Sequence, residues 1–159
     1  MMREAGKRAV ALAAAVAVAA AAGCGGGGGS RLSKADYEQK LKAEATQLQS
    51  AFLGINLRAG ADLKALASKA GELQQKIETS AGDIEKLKPP QDAEADNHKI
   101  ADALHTFAGL FGQIEKAAES KDAQKVQSLV LKLTAASQAG AAAAADLKKK
   151  GYDLGSFGG

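Results

Sequence analysis

The chain has a single cysteine, Cys24, among its 159 residues, no tryptophan and only two prolines. A lone cysteine cannot form a disulfide within the chain, and a structural zinc site needs several cysteine or histidine ligands close together. Aromatic residues make up only 4% of the chain, so few large side chains are available to fill a core. These absences exclude a disulfide-stabilised fold and predict a thin core of small aliphatic residues.

The chain also has no large excess of basic over acidic residues. The 21 basic and 18 acidic residues give a formal net charge of +3. Arg3, Lys7 and Arg8 precede Cys24 together with one acidic residue, so the chain from Cys24 onward has 18 basic and 17 acidic residues. Nucleic-acid-binding proteins usually concentrate basic residues on one face. Here lysines and acidic residues alternate along the chain, and we therefore expect no nucleic-acid partner.

The first 23 residues have the three parts of an export signal. The basic residues at the start are followed by an apolar run of 14 residues, 9–22, and by the small residues Ala21, Ala22 and Gly23. A membrane-spanning helix needs about 20 apolar residues, so this run is too short to remain as one. Residues 1–23 are therefore predicted to be a signal peptide.

The segment Ala21-Ala22-Gly23-Cys24 resembles the lipobox of bacterial lipoproteins, although Ala21 stands where leucine is usual. The resemblance implies a diacylglycerol on the Cys24 sulfur, cleavage between Gly23 and Cys24, and in some organisms acylation of the new N-terminus. Residues 24–32, which include the run Gly25–Gly29, are then expected to form a flexible tether. Secretion without a lipid and a cytoplasmic protein with an unusual N-terminus are the alternatives.

From Ser33 onward, apolar residues recur at the three- and four-residue spacings of an amphipathic helix. Helices are predicted over residues 33–59, 62–87, 90–119 and 122–150. Ser33 and Asp62 are suitable N-caps for the first two helices, either Ser120 or Asp122 is suitable for the fourth, and Gly151 is a suitable terminator. The first predicted apolar seam consists of Leu41, Ala45, Leu48, Phe52, Ile55 and Ala59.

Short connections between helices of similar length favour an all-α, antiparallel up-down-up-down four-helix bundle over residues 33–150. The firmest boundary is Lys88-Pro89-Pro90, because two prolines cannot continue a helix. The alternative is three long helices, the first of them bent near Gly60. Residues 151–159 form a tail whose Tyr152, Leu154 and Phe157 either fold back onto the bundle or remain mobile.

The only constellation with possible metal chemistry is His98, Asp102 and His105, which share one face of the third predicted helix. Histidine and aspartate are acceptable metal ligands. The apolar seam of the same helix, however, places all three on the outward side, so we interpret them as solvated surface residues. We expect no metal, no cofactor and no catalytic residues.

Lys148-Lys149-Lys150 has two interpretations. The lysines complement the dipole at the end of a helix, or they contact anionic lipid headgroups. We favour the first, because Gly151 follows at the position of a helix terminator.

The segments "LSKADYEQKL", "IEKLKPP" and "KKKGYDLG", together with the lipobox, resemble small alanine-rich helical lipoproteins of actinobacteria. The resemblance implies a helical lipoprotein of the cell envelope and carries no ligand or catalytic residue with it.

We expect a non-enzymatic lipoprotein anchored to the extracytoplasmic face of the cell membrane through Cys24, whose bundle contacts an envelope protein or polymer. The alternative is a carrier or sensor that binds a small ligand or a metal between its helices. Closely packed alanine seams would leave little volume for a ligand cavity of about 300 Å³ or more.

Overall fold

The structure, a computed structural model, describes residues 30–58 and 61–155. It contains four α-helices: α1 (Lys34–Phe52), α2 (Leu63–Glu85), α3 (Glu94–Glu119) and α4 (Ala123–Lys149). A short 3₁₀ turn, Gln91–Ala93, precedes α3, and these ranges contain no strand. The predicted all-α, up-down-up-down four-helix bundle is confirmed. No described helix is both long enough and apolar enough to cross a membrane.

Three of the four helices begin at the predicted caps. The Ser33 hydroxyl accepts a hydrogen bond from the Asp36 amide at 3.2 Å. The Asp62 carboxylate accepts from the Lys64 amide at 2.9 Å, and the Asp122 carboxylate from the amide three residues later at 2.9 Å. Each cap satisfies a backbone donor that has no partner within its helix.

The end of α1 was predicted wrongly. The helix stops at Phe52 instead of residue 59, because Leu53 is extended and Gly54 has a φ of +88°, a left-handed conformation that glycine adopts at little cost. Ile55 continues the helical spacing in the sequence, but it reaches the core from the connecting segment. Because α1 and α2 are separate helices, the bent-helix alternative is wrong. Ala59 and Gly60 lie outside the described residues.

The proline turn between α2 and α3 is also longer than predicted. Pro90 has a ψ of 151° and precedes the 3₁₀ turn, so α3 begins at Glu94 instead of residue 90. The backbone amide of Leu32 donates to the Lys88 carbonyl at 2.6 Å, which joins the start of the described chain to this turn.

The core has two parts, which we name by their distance from Ser30. The proximal end of the bundle is where α1 and α3 begin and where α2 and α4 end; the distal end is opposite. The proximal cluster consists of Tyr37, Leu41, Ile84, Ala93, Ile100, Ala101, Ala143, Ala144, Leu147, Tyr152 and Leu154. The distal cluster consists of Leu48, Leu66, Ala67, Ala70, Leu73, Ile77, Ala108, Leu110, Phe111, Ile114, Ala117, Ala118, Val126, Leu129 and Leu133. Alanines form a large part of both, as the composition predicts.

The helices do not pack equally. The α2–α3 pair is the most extensive, α3–α4 follows, and α1 contacts α2 over a much smaller area. Close contact between α2 and α3 occurs at Gly71 and Gly112, where an added Cβ would overlap the side chains of Glu115 and Gln74. The backbones of α2, α3 and α4 therefore approach one another most closely, while α1 packs through larger side chains such as the fully buried Tyr37 and Leu41.

The C-terminal tail folds back onto the proximal cluster. Gly151 has a φ of +81°, and the Tyr152 amide donates to the Leu147 carbonyl at 3.0 Å, which forms a Schellman cap. Tyr152 and Leu154 are both buried. The packed domain therefore extends beyond residue 150, while Phe157 lies outside the described residues.

Candidate functional site

The three candidate metal ligands on α3 do not form a site with one another. His98 and Asp102 are exposed. His105 is directed at α2 instead: its Nδ1 lies 3.1 Å from Glu78 Oε1, and its Nε2 lies 3.7 Å from Glu85 Oε2. The outward orientation inferred from the seam is therefore correct for His98 and Asp102, whereas His105 is a half-buried link between two helices.

The surroundings of His105 are unsuited to a metal ion. Its two carboxylate partners contact opposite nitrogens of the ring, so the three side chains cannot converge on one point. In the part of the chain that the structure describes, no group of three or more histidine, cysteine, aspartate or glutamate side chains could hold a metal.

The carboxylates do change the acidity of His105. The hydrogen bond to Glu78 is the main cause that raises the pKa of His105 above its ordinary value, and the charges of Glu78 and Glu85 act in the same direction against partial desolvation. A raised folded-state pKa favours folding below the ordinary histidine pKa. This contribution is lost as the pH rises through the folded-state value.

We predict that Glu78→Gln lowers the pKa of His105, because the variant removes the closer charge and its charge-assisted hydrogen bond. The measurement is the chemical shift of the His105 ring protons as a function of pH. Glu85→Gln should produce a smaller decrease, since that carboxylate is farther away, and Glu119→Gln at the distal end of α3 serves as the control. Equal shifts in all three variants would contradict the pairing.

A buried polar network at the proximal end was not predicted. The Tyr37 hydroxyl donates to Asn97 Oδ1 at 3.0 Å, and Asn97 Nδ2 donates to the Ile84 carbonyl at 2.9 Å. Asn97 is only 1% exposed. In the sequence it stands between Ala93 and Ile100 in the apolar spacing of the third predicted helix, which was the one available signal, but its partners are far away in the chain. These bonds connect α1, α2 and α3.

Asp96, the neighbour of Asn97 in the chain, forms a separate buried charged contact, with a side chain only 3% exposed. Lys150 Nζ lies 2.6 Å from one carboxylate oxygen and Lys99 Nζ 3.2 Å from the other. Burial alone would raise the pKa of Asp96, but the hydrogen bonds from Lys150 and Lys99 outweigh it and hold the pKa below its ordinary value. The ion pairs therefore support folding at neutral pH, and this support is lost as the pH falls through the lowered pKa.

The ion pairs at the end of α4 help to choose between the two interpretations of Lys148-Lys149-Lys150. Lys150 also donates to the Asp92 carbonyl at 2.6 Å, and Lys149 pairs with Asp146 at 3.0 Å. Two of the three lysines are thus engaged by neighbouring groups of the bundle, which favours the structural interpretation over contact with lipid headgroups.

Tyr152 attaches the tail to the network. Its hydroxyl donates to Asp92 Oδ1 at 2.7 Å, and its ring meets that of Tyr37 edge-on with the centroids 5.8 Å apart. Burial is the main cause that raises the pKa of both phenols above the ordinary value. The hydroxyls therefore stay protonated at neutral pH and act as structural hydrogen-bond donors.

The expectation of little free volume concerned cavities between the packed helices, and the two largest grooves in the described residues lie at the surface of the bundle instead. A groove of about 600 Å³ lies between α1 and α2, and another of about 600 Å³ lies between the start of α2 and the end of α3. The first exists because α1 packs over a small area of α2. Both grooves are open to solvent and do not penetrate the core.

Large exposed apolar side chains occur only in the distal half of the described bundle. They are Leu53, which is 75% exposed, Leu131 at 73% and Phe52 at 37%. Phe52 and Leu53 lie at the end of α1, where the ring of Phe52 packs on Phe111 about two turns before the distal end of α3. Leu131 lies about two turns into α4. Exposed apolar side chains in one half of a small protein are candidates for a contact surface.

Comparison of the chain with known protein families, curated proteins and solved structures found no match. Its function therefore has to be inferred from its own residues.

Proposed function

We propose that this protein is a non-enzymatic lipoprotein, anchored through Cys24 on the extracytoplasmic face of the cell membrane, whose helical bundle contacts an envelope protein or polymer. The observation that carries the proposal is the difference between the two ends of the bundle. The proximal end is tied together by buried polar contacts, and the distal end exposes apolar side chains.

The proximal end is where the chain leaves the bundle toward Cys24. Arg31 donates to the Pro89 carbonyl at 3.1 Å and pairs with Glu94 at 2.8 Å. These contacts fasten the exit point to the turn between α2 and α3. A lipid on Cys24 would hold this end near the membrane, because the six residues 25–30 that follow Cys24 have a root-mean-square span of about 13 Å as a flexible chain.

The distal end would then face away from the membrane. The 19 residues of α1 span about 28 Å at 1.5 Å per residue, so Phe52 and Leu53 would lie roughly 30 Å from the anchored end. Exposing Leu53 has a cost in water, which contact with a partner would remove.

The non-enzymatic part of the proposal is supported by the use of the buried polar side chains. Asp96, Asn97 and Tyr37 are all hydrogen-bonded to other groups of the bundle. None of these three lines either of the two large grooves, and Ser80 is the one buried polar residue in the described ranges that does. A catalytic group must be within reach of a substrate. The polar atoms of Asp96, Asn97 and Tyr37 are instead hydrogen-bonded within the bundle.

The test is site-specific photo-crosslinking in the intact envelope. A photoreactive residue in place of Leu53 should capture a discrete envelope component. The same residue in place of Lys40, which is exposed on the proximal half of α1, should not. Identical products from both positions, or no product from Leu53, would contradict a distal contact surface.

A further inference from the structure

A smaller opening, which we call the distal pocket, lies between the segment that connects α1 to α2 and the first turns of α2 and α4. Its volume is about 190 Å³. Leu66 and Val126, two buried members of the distal cluster, line it. The other apolar lining residues are Leu57, Ala61, Leu63 and Ala123. Six apolar residues therefore surround the pocket, and only Arg58 and Gln127 add polar groups.

The pocket exists because α1 ends before the bundle does. Phe52, the last residue of α1, packs on Phe111, which lies about two turns before the end of α3. Beyond this level the connecting segment takes the place of a helix. It leaves a gap that the first turns of α2 and α4 line.

The volume of the distal pocket decides what it can hold. Small-molecule sites usually have about 300–1,000 Å³, so a pocket of about 190 Å³ is too small for a whole ligand. Protein partners often insert a single apolar anchor residue into a pocket of this kind. Leu131, which is 73% exposed, lies one turn after Gln127 on the same face of α4 and extends the apolar surface beyond the rim.

The surroundings of the pocket are basic. Arg58 lines the pocket and makes no ion pair with any residue in the described ranges. Asp62 and Asp122, the carboxylates that flank the lining residues in the chain, cap α2 and α4 through backbone amides. From residue 123 to residue 145, α4 has two lysines, Lys125 and Lys132, and no carboxylate. A carboxylate on a partner would therefore be attracted to this surface.

A second copy of the chain does not fit this surface. A two-fold axis through it would bring the lysines of two α4 helices together without a carboxylate between them. The second large groove, which contains Glu115 and Glu119, lies between α2 and α3 and is not part of this surface. The complementary partner is thus a different chain.

We propose that the distal pocket receives one apolar side chain of a protein partner, and that a carboxylate beside that side chain pairs with Arg58. The inference rests on the proposed function and narrows it, because it chooses a protein with an acidic, apolar segment over an envelope polymer.

The experiment uses the full-length chain carrying Cys24→Ala, labelled with ¹⁵N, and follows its backbone amide shifts as peptide is added. The probes are acetyl-Glu-Leu-Glu-amide, acetyl-Gln-Leu-Gln-amide and acetyl-Glu-Ala-Glu-amide. We expect the first to bind saturably and to shift the amides of Ala61, Ala123 and Gln127. The second should bind about two- to fivefold more weakly, the ratio expected for a solvent-exposed ion pair. The third should bind about tenfold or more weakly, because it lacks the leucine that would be buried.

Two pairs of variants test the location. Ala123→Trp should fill the pocket and weaken the Glu-Leu-Glu peptide about tenfold or more, whereas Ser128→Trp, at an exposed position of α4 outside the pocket, should leave its binding unchanged. Arg58→Gln should remove the difference between the Glu-Leu-Glu and Gln-Leu-Gln peptides, whereas Lys64→Gln should preserve it. Circular dichroism checks that each variant is folded.

Three results would overturn the proposal. They are the absence of saturable binding of the Glu-Leu-Glu peptide, equal effects of Ala123→Trp and Ser128→Trp, and equal affinities of the Glu-Leu-Glu and Gln-Leu-Gln peptides for the chain with Arg58 intact. Photo-crosslinking from Leu53 does not use the pocket. A discrete Leu53 product beside any of these results would refute only the pocket, so the two failures are distinguishable.

Discussion

Cys24→Ala is expected to move the protein from the membrane fraction to the soluble fraction and to abolish incorporation of labelled fatty acid. Each buried CH₂ of an acyl chain contributes about 0.8 kcal/mol to membrane binding, so two chains anchor a protein stably. Without them, no described helix could take over the anchoring by crossing the bilayer. The measurement is fractionation of cells grown with the label, followed by detection of the protein in each fraction.

Gly25→Ala is the matched control, because it changes the neighbouring residue and leaves the proposed attachment sulfur in place. We expect this variant to remain in the membrane fraction. The thermal stability of Cys24→Ala should equal that of the unmodified chain, since the packing of the described domain begins at Arg31 and Leu32. Persistent labelling of Cys24→Ala would end the lipoprotein proposal.

Asn97→Leu is expected to destabilise the bundle by about 3 kcal/mol, because it leaves the Tyr37 hydroxyl and the Ile84 carbonyl buried without their partner. Leucine has a similar volume, so the loss would come mainly from unpaired polar groups. In a domain of this size the melting temperature should fall by about 10 °C. Thermal and urea unfolding, followed by circular dichroism, measure the change.

The double variant Tyr37→Phe with Asn97→Leu separates this mechanism from simple mispacking. Tyr37→Phe removes the hydroxyl that Asn97→Leu would leave unpaired, so the double variant should lose less stability than the sum of the two single variants. Asn56→Leu is the control, because Asn56 is exposed and bonds only locally to the amide of Arg58. Strict additivity, or an equal loss in Asn56→Leu, would contradict the importance of the buried network.

The predicted and observed helices differ most where the apolar spacing continues past the end of a helix. At Ile55 the spacing suggests another helical turn, but the backbone has already left the helix at Leu53. Spacing reports which residues are buried, and a residue in a loop can be buried as well as one in a helix. The caps were more reliable, because a side chain that accepts from an amide two or three residues later acts locally.

The candidate site was less predictable for a different reason. His98, Asp102 and His105 share a helix face by their spacing alone, yet the actual partners of His105 are on α2, 20 and 27 residues away. Whether a charged side chain is paired depends on its neighbours in space as well as on those within one turn of its own helix.

By itself, the sequence determined the helical class, most of the helix starting points and the thin alanine-rich core, and left three or four helices open. The residues around Cys24 also predict the lipid-anchored, extracytoplasmic location. These properties depend on composition and on interactions within a few residues. Only the tertiary structure decided that Asn97 joins Tyr37 to Ile84, that Lys150 neutralises Asp96, and that α1 leaves a groove beside α2. Each of these joins or separates positions that are distant in the chain, and their meeting depends on where whole helices pack.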